Sequence, residues 1–195
     1  MPGDVTLTAS STTCSAIHSW STPTVSDLCG ATVSQISGLT SGSAFPLGLS
    51  TVLYRATDSY GNTTDYSFDV VVNDVTDPVI TVCASPISIV GNGSCQGTAP
   101  NLTGAVTATD NCTGSPTITQ SPAVGSTLGL GTTTITFTAT DGSGRTDQCT
   151  VNINVVDVTD PVITVCAPTP SNISANASCQ GTAPNLTGAV TATDN

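Results

Sequence analysis

Asp74-Val75-Thr76-Asp77-Pro78-Val79-Ile80-Thr81-Val82-Cys83 returns unchanged as Asp157 to Cys166, an offset of 157 − 74 = 83 residues. Identity over that length at that distance marks a tandem array, and the array governs every other reading of the chain. Cys95 to Asn111 returns as Cys179 to Asn195, at 179 − 95 = 84, so one residue was gained between Cys166 and Cys179. Towards the N-terminus a diverged copy emerges. Ala56-Thr57-Asp58-Ser59-Tyr60-Gly61 matches Ala139-Thr140-Asp141-Gly142-Ser143-Gly144. Phe68, Val70 and Val72 match Val151, Ile153 and Val155, and Cys29 matches Cys112. The chain therefore reads as a diverged domain over 1–73, a complete domain over 74–156 and the first half of a third over 157–195. Blocks of this size suit small independent domains, because solenoid repeats are shorter.

Within the blocks the pattern is that of strands. Val52, Tyr54 and Ala56, then Tyr66, Phe68, Val70 and Val72, fall on one face at period two, with Asp58-Ser59-Tyr60-Gly61-Asn62 as the hairpin turn between them. Ile135, Phe137 and Ala139, then Val151, Ile153 and Val155, repeat the arrangement. Several short strands per block, with turns between, predict an all-β fold of tandem immunoglobulin-like β-sandwiches. The junctions at Asn73–Pro78 and 157–161 carry no Gly/Ser linker, so the domains are expected to stand end to end.

Composition narrows the function. Every acidic residue is Asp, the only basic residues are Arg55 and Arg145, and the formal net charge is −11. Helix surfaces are built from Lys, Glu, Gln and Arg, whereas Thr, Ser, Val, Gly and Asn favour strands and turns. Two basic side chains cannot neutralise a nucleic-acid backbone or dock on an anionic bilayer. No apolar run approaches the roughly 20 residues of a membrane span, so no direct membrane insertion is expected. Eight cysteines without a Cys-x-x-Cys pair, and one histidine, point to an oxidising compartment rather than to zinc. The chain is expected to be extracellular or at the cell surface, as a mature or excised part of a longer precursor.

Cys14-Ser15-Ala16, Trp20, Pro23, Asp27 and Cys29, then Phe45-Pro46-Leu47-Gly48, Tyr54-Arg55-Ala56-Thr57-Asp58 and Gly61-Asn62, together resemble the hyalin repeat (HYR) module. Asp110-Asn111-Cys112, Leu130 to Ile135, Thr138 to Asp141 and Cys149 resemble it again, although the second block lacks the Trp. The resemblance implies extracellular immunoglobulin-like sandwiches, used in tandem and linked to adhesion, and it brings no catalytic residues.

Internal comparison suggests disulfides. The complete block has Cys83, Cys95, Cys112 and Cys149; the first block keeps the middle two, as Cys14 and Cys29, and Tyr66 stands in the place of Cys149. Partners are lost together because a lone thiol is reactive, which predicts Cys14–Cys29, Cys95–Cys112 and Cys83–Cys149. Partners for Cys166 and Cys179 are expected outside this sequence.

Asp residues gather at block ends and turns, with Asp27 and Asp110, and Asp58 and Asp141, as matching pairs. No cofactor is required by this reading, but Asp74 and Asp77, and Asp157 and Asp160, resemble the carboxylates that share calcium at cadherin-like junctions. The plainer alternative is that they make Asx-turns before Pro and Gly. Sequons at Asn62, Asn92, Asn101, Asn111, Asn172, Asn176 and Asn185 are candidate glycan acceptors. The first block lacks a counterpart of the strand at Val79 to Cys83. The third offers that strand as Val162, Ile163, Thr164, Val165 and Cys166, which could complete another copy by strand addition. The expected partners are therefore further repeats of the same chain or other copies head to tail, with surface glycans or proteins second.

Three functions compete on these residues. A glycan-binding module would use Trp20, Tyr54, Tyr60 and Tyr66 as a platform, but Trp20 reads as core. An enzyme would need His18 with Ser15, Ser19 and Asp27, and the second block has no histidine. The reading adopted is a non-catalytic structural protein, a segment of a filament, stalk or adhesin. The alternative is a calcium-dependent glycan- or protein-binding module on a larger surface protein.

Overall fold

Period-two alternation of apolar residues with Thr, Ser and Asn produces strands throughout the computed structural model, which describes residues 1–170 and 172–194. The chain is all-β. In the first repeat the strands are β1 (Val5–Thr8), β2 (Ser15–Ile17), β3 (Ala31–Ser37), β4 (Ala44–Pro46), β5 (Gly48–Asp58) and β6 (Thr63–Asn73). The second repeat has β7 (Val79–Val82), β8 (Ile87–Val90), β9 (Gln96–Thr98), β10 (Thr107–Thr109), β11 (Thr117–Ser121), β12 (Thr127–Gly129), β13 (Gly131–Thr140) and β14 (Thr146–Val156). Then follow β15 (Val162–Val165) and β16 (Thr191–Thr193).

Strand order repeats as the sequence does. The first repeat has a sheet β1-β6-β5-β3 and a small β2-β4 pair; the second has β8-β14-β13-β11 and β9-β12. In both, a short strand near the start of the repeat joins the sheet in parallel, as β1 beside β6 and β8 beside β14. The second repeat adds an antiparallel β7-β10 pair, and β15 pairs with β16 in the same way. Among the described residues the first repeat has no counterpart of the β7-β10 pair.

Contacts gather the residues into two compact units. One contains Met1–Ala84, Leu102–Gln120 and Thr136–Thr150; the other contains Ser85–Asn101, Ser121–Ile135 and the described residues from Val151 onward. The junction of the first two repeats therefore lies inside the first unit.

In the first unit the core is built on β5 and β6, where Val52 faces Phe68 across the ladder. Phe45, Val52, Tyr54, Phe68, Val70 and Val72 are buried, and Val5, Leu7, Val33, Trp20 and Tyr66 pack around them. Trp20 meets Phe68 edge-on at 5.0 Å, and its indole N–H donates to Tyr54 Oη at 2.9 Å. A buried Trp keeps its polar N–H only by finding such a partner. Phe137, Ala139, Val106 and Ala84 are also buried in this unit. Gly38, at φ +88°, follows β3 where its register shifts, and a Cβ there would lie 2.5 Å from the Thr51 carbonyl oxygen. Gly38→Ala is expected to destabilise the first repeat by about 1–3 kcal/mol, through left-handed backbone strain and that clash. Urea titration followed by Trp20 fluorescence reads the change.

In the second unit Leu128, Ile135, Val151, Ile153 and Val155 are buried, with Ala99. Gly97 is buried, and a Cβ there would come within 2.7 Å of Ile89 Cδ1 and 3.0 Å of Val155 Cγ2, so a side chain would push those two residues aside.

Candidate functional site at the repeat junction

The junction is assembled by three turns. β13 ends on Thr140, and Asp141 after it opens the hairpin to β14; its amide donates to the Arg145 carbonyl, and Gly144 turns with φ +84°. Asp110 begins the Asp-Asn-Cys turn after β10, and Asp74 follows the last residue of β6. In each case the local sequence fixes one carboxylate oxygen. Asp74 Oδ1 accepts from the Thr76 amide at 3.0 Å. Asp110 Oδ1 accepts from the amides of Cys112 and Thr113 at 2.9 and 2.6 Å. Asp141 Oδ1 accepts from those of Ser143 and Arg145, both at 2.8 Å. These are Asx-turns, as the plainer reading of the sequence has it.

The second oxygens make the site. Oδ2 of Asp74, Asp110 and Asp141 is buried without a hydrogen-bond partner, as is Oδ1 of Asn111. Oxygens from the three carboxylates lie within 4.8 Å of one another. Asp74 and Asp141 are 6% and 7% exposed. Burying a carboxylate oxygen without a partner costs free energy. At an effective dielectric constant of about 20, two like charges 4.8 Å apart repel by about 3 kcal/mol. Arg145 does not discharge the group: its guanidinium pairs with Asp77 at 2.9 Å and donates to the Asp74 carbonyl at 3.3 Å. A cleft of about 730 Å³ opens beside these residues, lined by Val72, Asp74, Cys112, Thr113 and Gly142 to Arg145.

The expected calcium residues are thus redistributed. Asp74 is in the group. Asp77 instead pairs with Arg145, and Asp157 and Asp160 are exposed, with Asp157 Oδ1 capping the Thr159 amide. Asp110 and Asp141, recognised in the sequence only as turn residues, supply the other two carboxylates.

A disulfide crosses the same junction. Cys14 is bonded to Cys112, with Cα atoms 5.3 Å apart, which replaces the expected Cys14–Cys29 and Cys95–Cys112 pairs. The reason is strand length. Cys14 sits near the end of β6, where the Ala9 amide donates to the Asn73 carbonyl. Cys29 sits by the opposite hairpin, its carbonyl accepting from Ser59 Oγ. β5 and β6 are 11 residues each, so the two ends lie about 35 Å apart. A disulfide needs Cα atoms within about 7 Å. Cys83 and Cys149 are also bonded, at a Cα separation of 6.2 Å, tying the β7 edge to β14. Cys29, Cys166 and Cys179 are exposed thiols. Cys14, Cys95 and Cys179 share a left-handed backbone, with φ of 50°, 57° and 58°. That conformation is uncommon for a residue with a Cβ, and here it recurs in register with the repeat.

The family model for the HYR domain matches residues 2–72 and again 73–155. The chain belongs to the HYR family. Hyalin of Strongylocentrotus purpuratus is 37% identical over 129 residues, which cover 64% of this chain and 11% of that protein. A sushi, von Willebrand factor type A, EGF and pentraxin domain-containing protein of Mus musculus is 33% identical over 156 residues, 78% of this chain and 4% of that protein. The HYR chain thus spans a small part of the curated relatives it matches. The structure of PcdhgB3 EC1-4 superposes loosely, with a TM-score of 0.34 at 16% identity, over 89% of this chain and 55% of that one. As an HYR protein the chain is an extracellular or cell-surface module of the adhesion type. No helix among the described residues is long and apolar enough to cross a membrane.

The remaining predicted residues are spread over the HYR repeats. Asn62, Asn92, Asn101, Asn172, Asn176 and Asn185 are exposed. Asn111 is half-buried beside the disulfide, its Nδ2 donating to Cys112 Sγ at 3.0 Å, a poor position for a glycan. The strand at Val162 to Val165 is exposed and pairs with β16 of the same chain, and Cys166 follows it. His18 stacks at 5.6 Å on Trp20, which is itself packed on the core, so the two do not form an open aromatic platform.

Proposed function

We propose that this HYR chain is a non-catalytic structural segment of an extracellular filament, stalk or adhesin, in which successive domains, over 1–73, 74–156 and 157–195, are tied covalently into an array. The observation that carries this reading is the Cys14–Cys112 bond between consecutive repeats. A covalent strut between neighbours suits an array that must keep its extension under load. Cys95 and Cys179 occupy the Cys14 position with the same backbone, and Cys29 occupies the Cys112 position. The bond is therefore of a kind that can recur from repeat to repeat, whether the next repeat belongs to the same chain or to another copy. Strand addition by β15, which pairs with β16 in this chain, is a second route to the same array. Exposed sequons would carry glycans on a surface with few charges of its own, in a host with that machinery.

Electron microscopy of native material, with mass by light scattering, tests the reading. Long uniform fibres or discrete rods are expected, and mild reduction of the disulfides should increase their bending. Collapsed particles with no preferred extension, unchanged by reduction, would overturn it.

A further inference from the structure

We propose that Asp74, Asp110 and Asp141 bind one calcium ion that locks the first junction. Each side chain is held by its Oδ1 in a backbone turn, which leaves its Oδ2 buried and unpartnered, and one oxygen from each carboxylate lies within 4.8 Å of the others. Two of the three residues are more than nine-tenths buried, so bulk water does not solvate them. A cation is the partner that satisfies all three oxygens together. The donors are hard oxygens with no thiolate or imidazole among them, a set that suits calcium, magnesium or manganese better than zinc or copper. Calcium accepts six to eight oxygens in irregular geometry, whereas magnesium demands a near-ideal octahedron. Asn111 Oδ1, next in the chain to Asp110, is a fourth uncommitted oxygen, and backbone carbonyls and water complete the set.

All three carboxylates belong to the second repeat: Asp74 opens it in the connecting segment, and Asp110 and Asp141 come from two of its turns. The corresponding Asp58 of the first repeat shows what happens without that arrangement. Its Oδ1 accepts from the amides of Tyr60 and Asn62, and its Oδ2 from Asn62 Nδ2 at 2.7 Å, so neither oxygen is left for a metal. At the position of Asn62 the second repeat has Arg145, whose side chain turns away to Asp77 and leaves Asp141 Oδ2 open.

The test uses the whole chain stripped with a chelator. Calorimetric titration with calcium chloride should show binding, and saturating calcium should raise the melting temperature by several degrees. Asp110→Asn and Asp141→Asn each keep the Oδ1 turn while removing one charge, and each should weaken calcium binding by about tenfold or more. Asp160→Asn, at an exposed residue outside the group, should bind as the parent does. Absence of heat and of a melting shift in the parent chain would overturn the proposal, as would parental affinity in both cluster variants or an equal response to magnesium. If a cluster variant fails to fold, the parent titration alone still decides. The outcome is independent of polymerisation, since calcium could stiffen a rod that never forms fibres.

Discussion

Joint replacement Cys83→Ser with Cys149→Ser is expected to lower the stability of the second repeat by about 4 kcal/mol, the chain-entropy value for a closed loop of that length. The bond spans 66 residues and fastens the β7 edge to β14. Without it, β7 is held by its short ladder with β10, the Thr81–Thr107 side-chain hydrogen bonds and the bond from the Ile80 amide to Asp147 Oδ2 at 2.8 Å. The loss should appear as a lower urea midpoint for the second repeat, with the first repeat, followed by Trp20, much less affected. Equal loss in both repeats would mean that they unfold as one unit. No loss would mean that β7 is held by its ladder alone.

Phe68→Ala should cost the first repeat about 3–5 kcal/mol, the usual range for emptying an aromatic core position. Phe68 is 2% exposed, stacks edge-on against Trp20 and faces Val52. The cavity would also loosen Trp20, which Phe45 and the Tyr54 hydroxyl hold on its other sides. A red shift of Trp20 emission should therefore accompany the loss of stability. Phe68→Leu should recover more than half of the loss, because it refills most of the volume. The Arg55–Asp65 pair at 2.7 Å on the same two strands lies on the surface, and removing it should move stability far less.

Strand pairs were legible because period-two alternation is a local signal. Val52 and Tyr54 against Phe68 and Val70 can be read without knowing what they face. The family too was legible, from the cysteine, Pro-Leu-Gly and Ala-Thr-Asp motifs. Disulfide order was not, because residue comparison says which cysteines are lost together but not which end of a domain each occupies. Cys14 and Cys29 are separated by the full length of β5 and β6, and only a count of residues along those strands could have excluded their union. The buried carboxylate group was half-legible for the same reason. The Asp74 and Asp157 motif stands out by its identity. Asp110 and Asp141 look like ordinary turn residues until the fold brings three turns to one end of a repeat.

The central claim is that consecutive repeats are tied by Cys14 and Cys112. Cleavage before aspartate in unreduced protein, followed by mass spectrometry, tests it most directly. Such cleavage puts Cys14 in the peptide 4–26, Cys29 in 27–57, Cys83 and Cys95 in 77–109, and Cys112 in 110–140. The structure predicts that 4–26 is linked to 110–140 and separates from it on reduction. A link between 4–26 and 27–57, with 77–109 joined to 110–140, would contradict the account and return each repeat to its own internal bond.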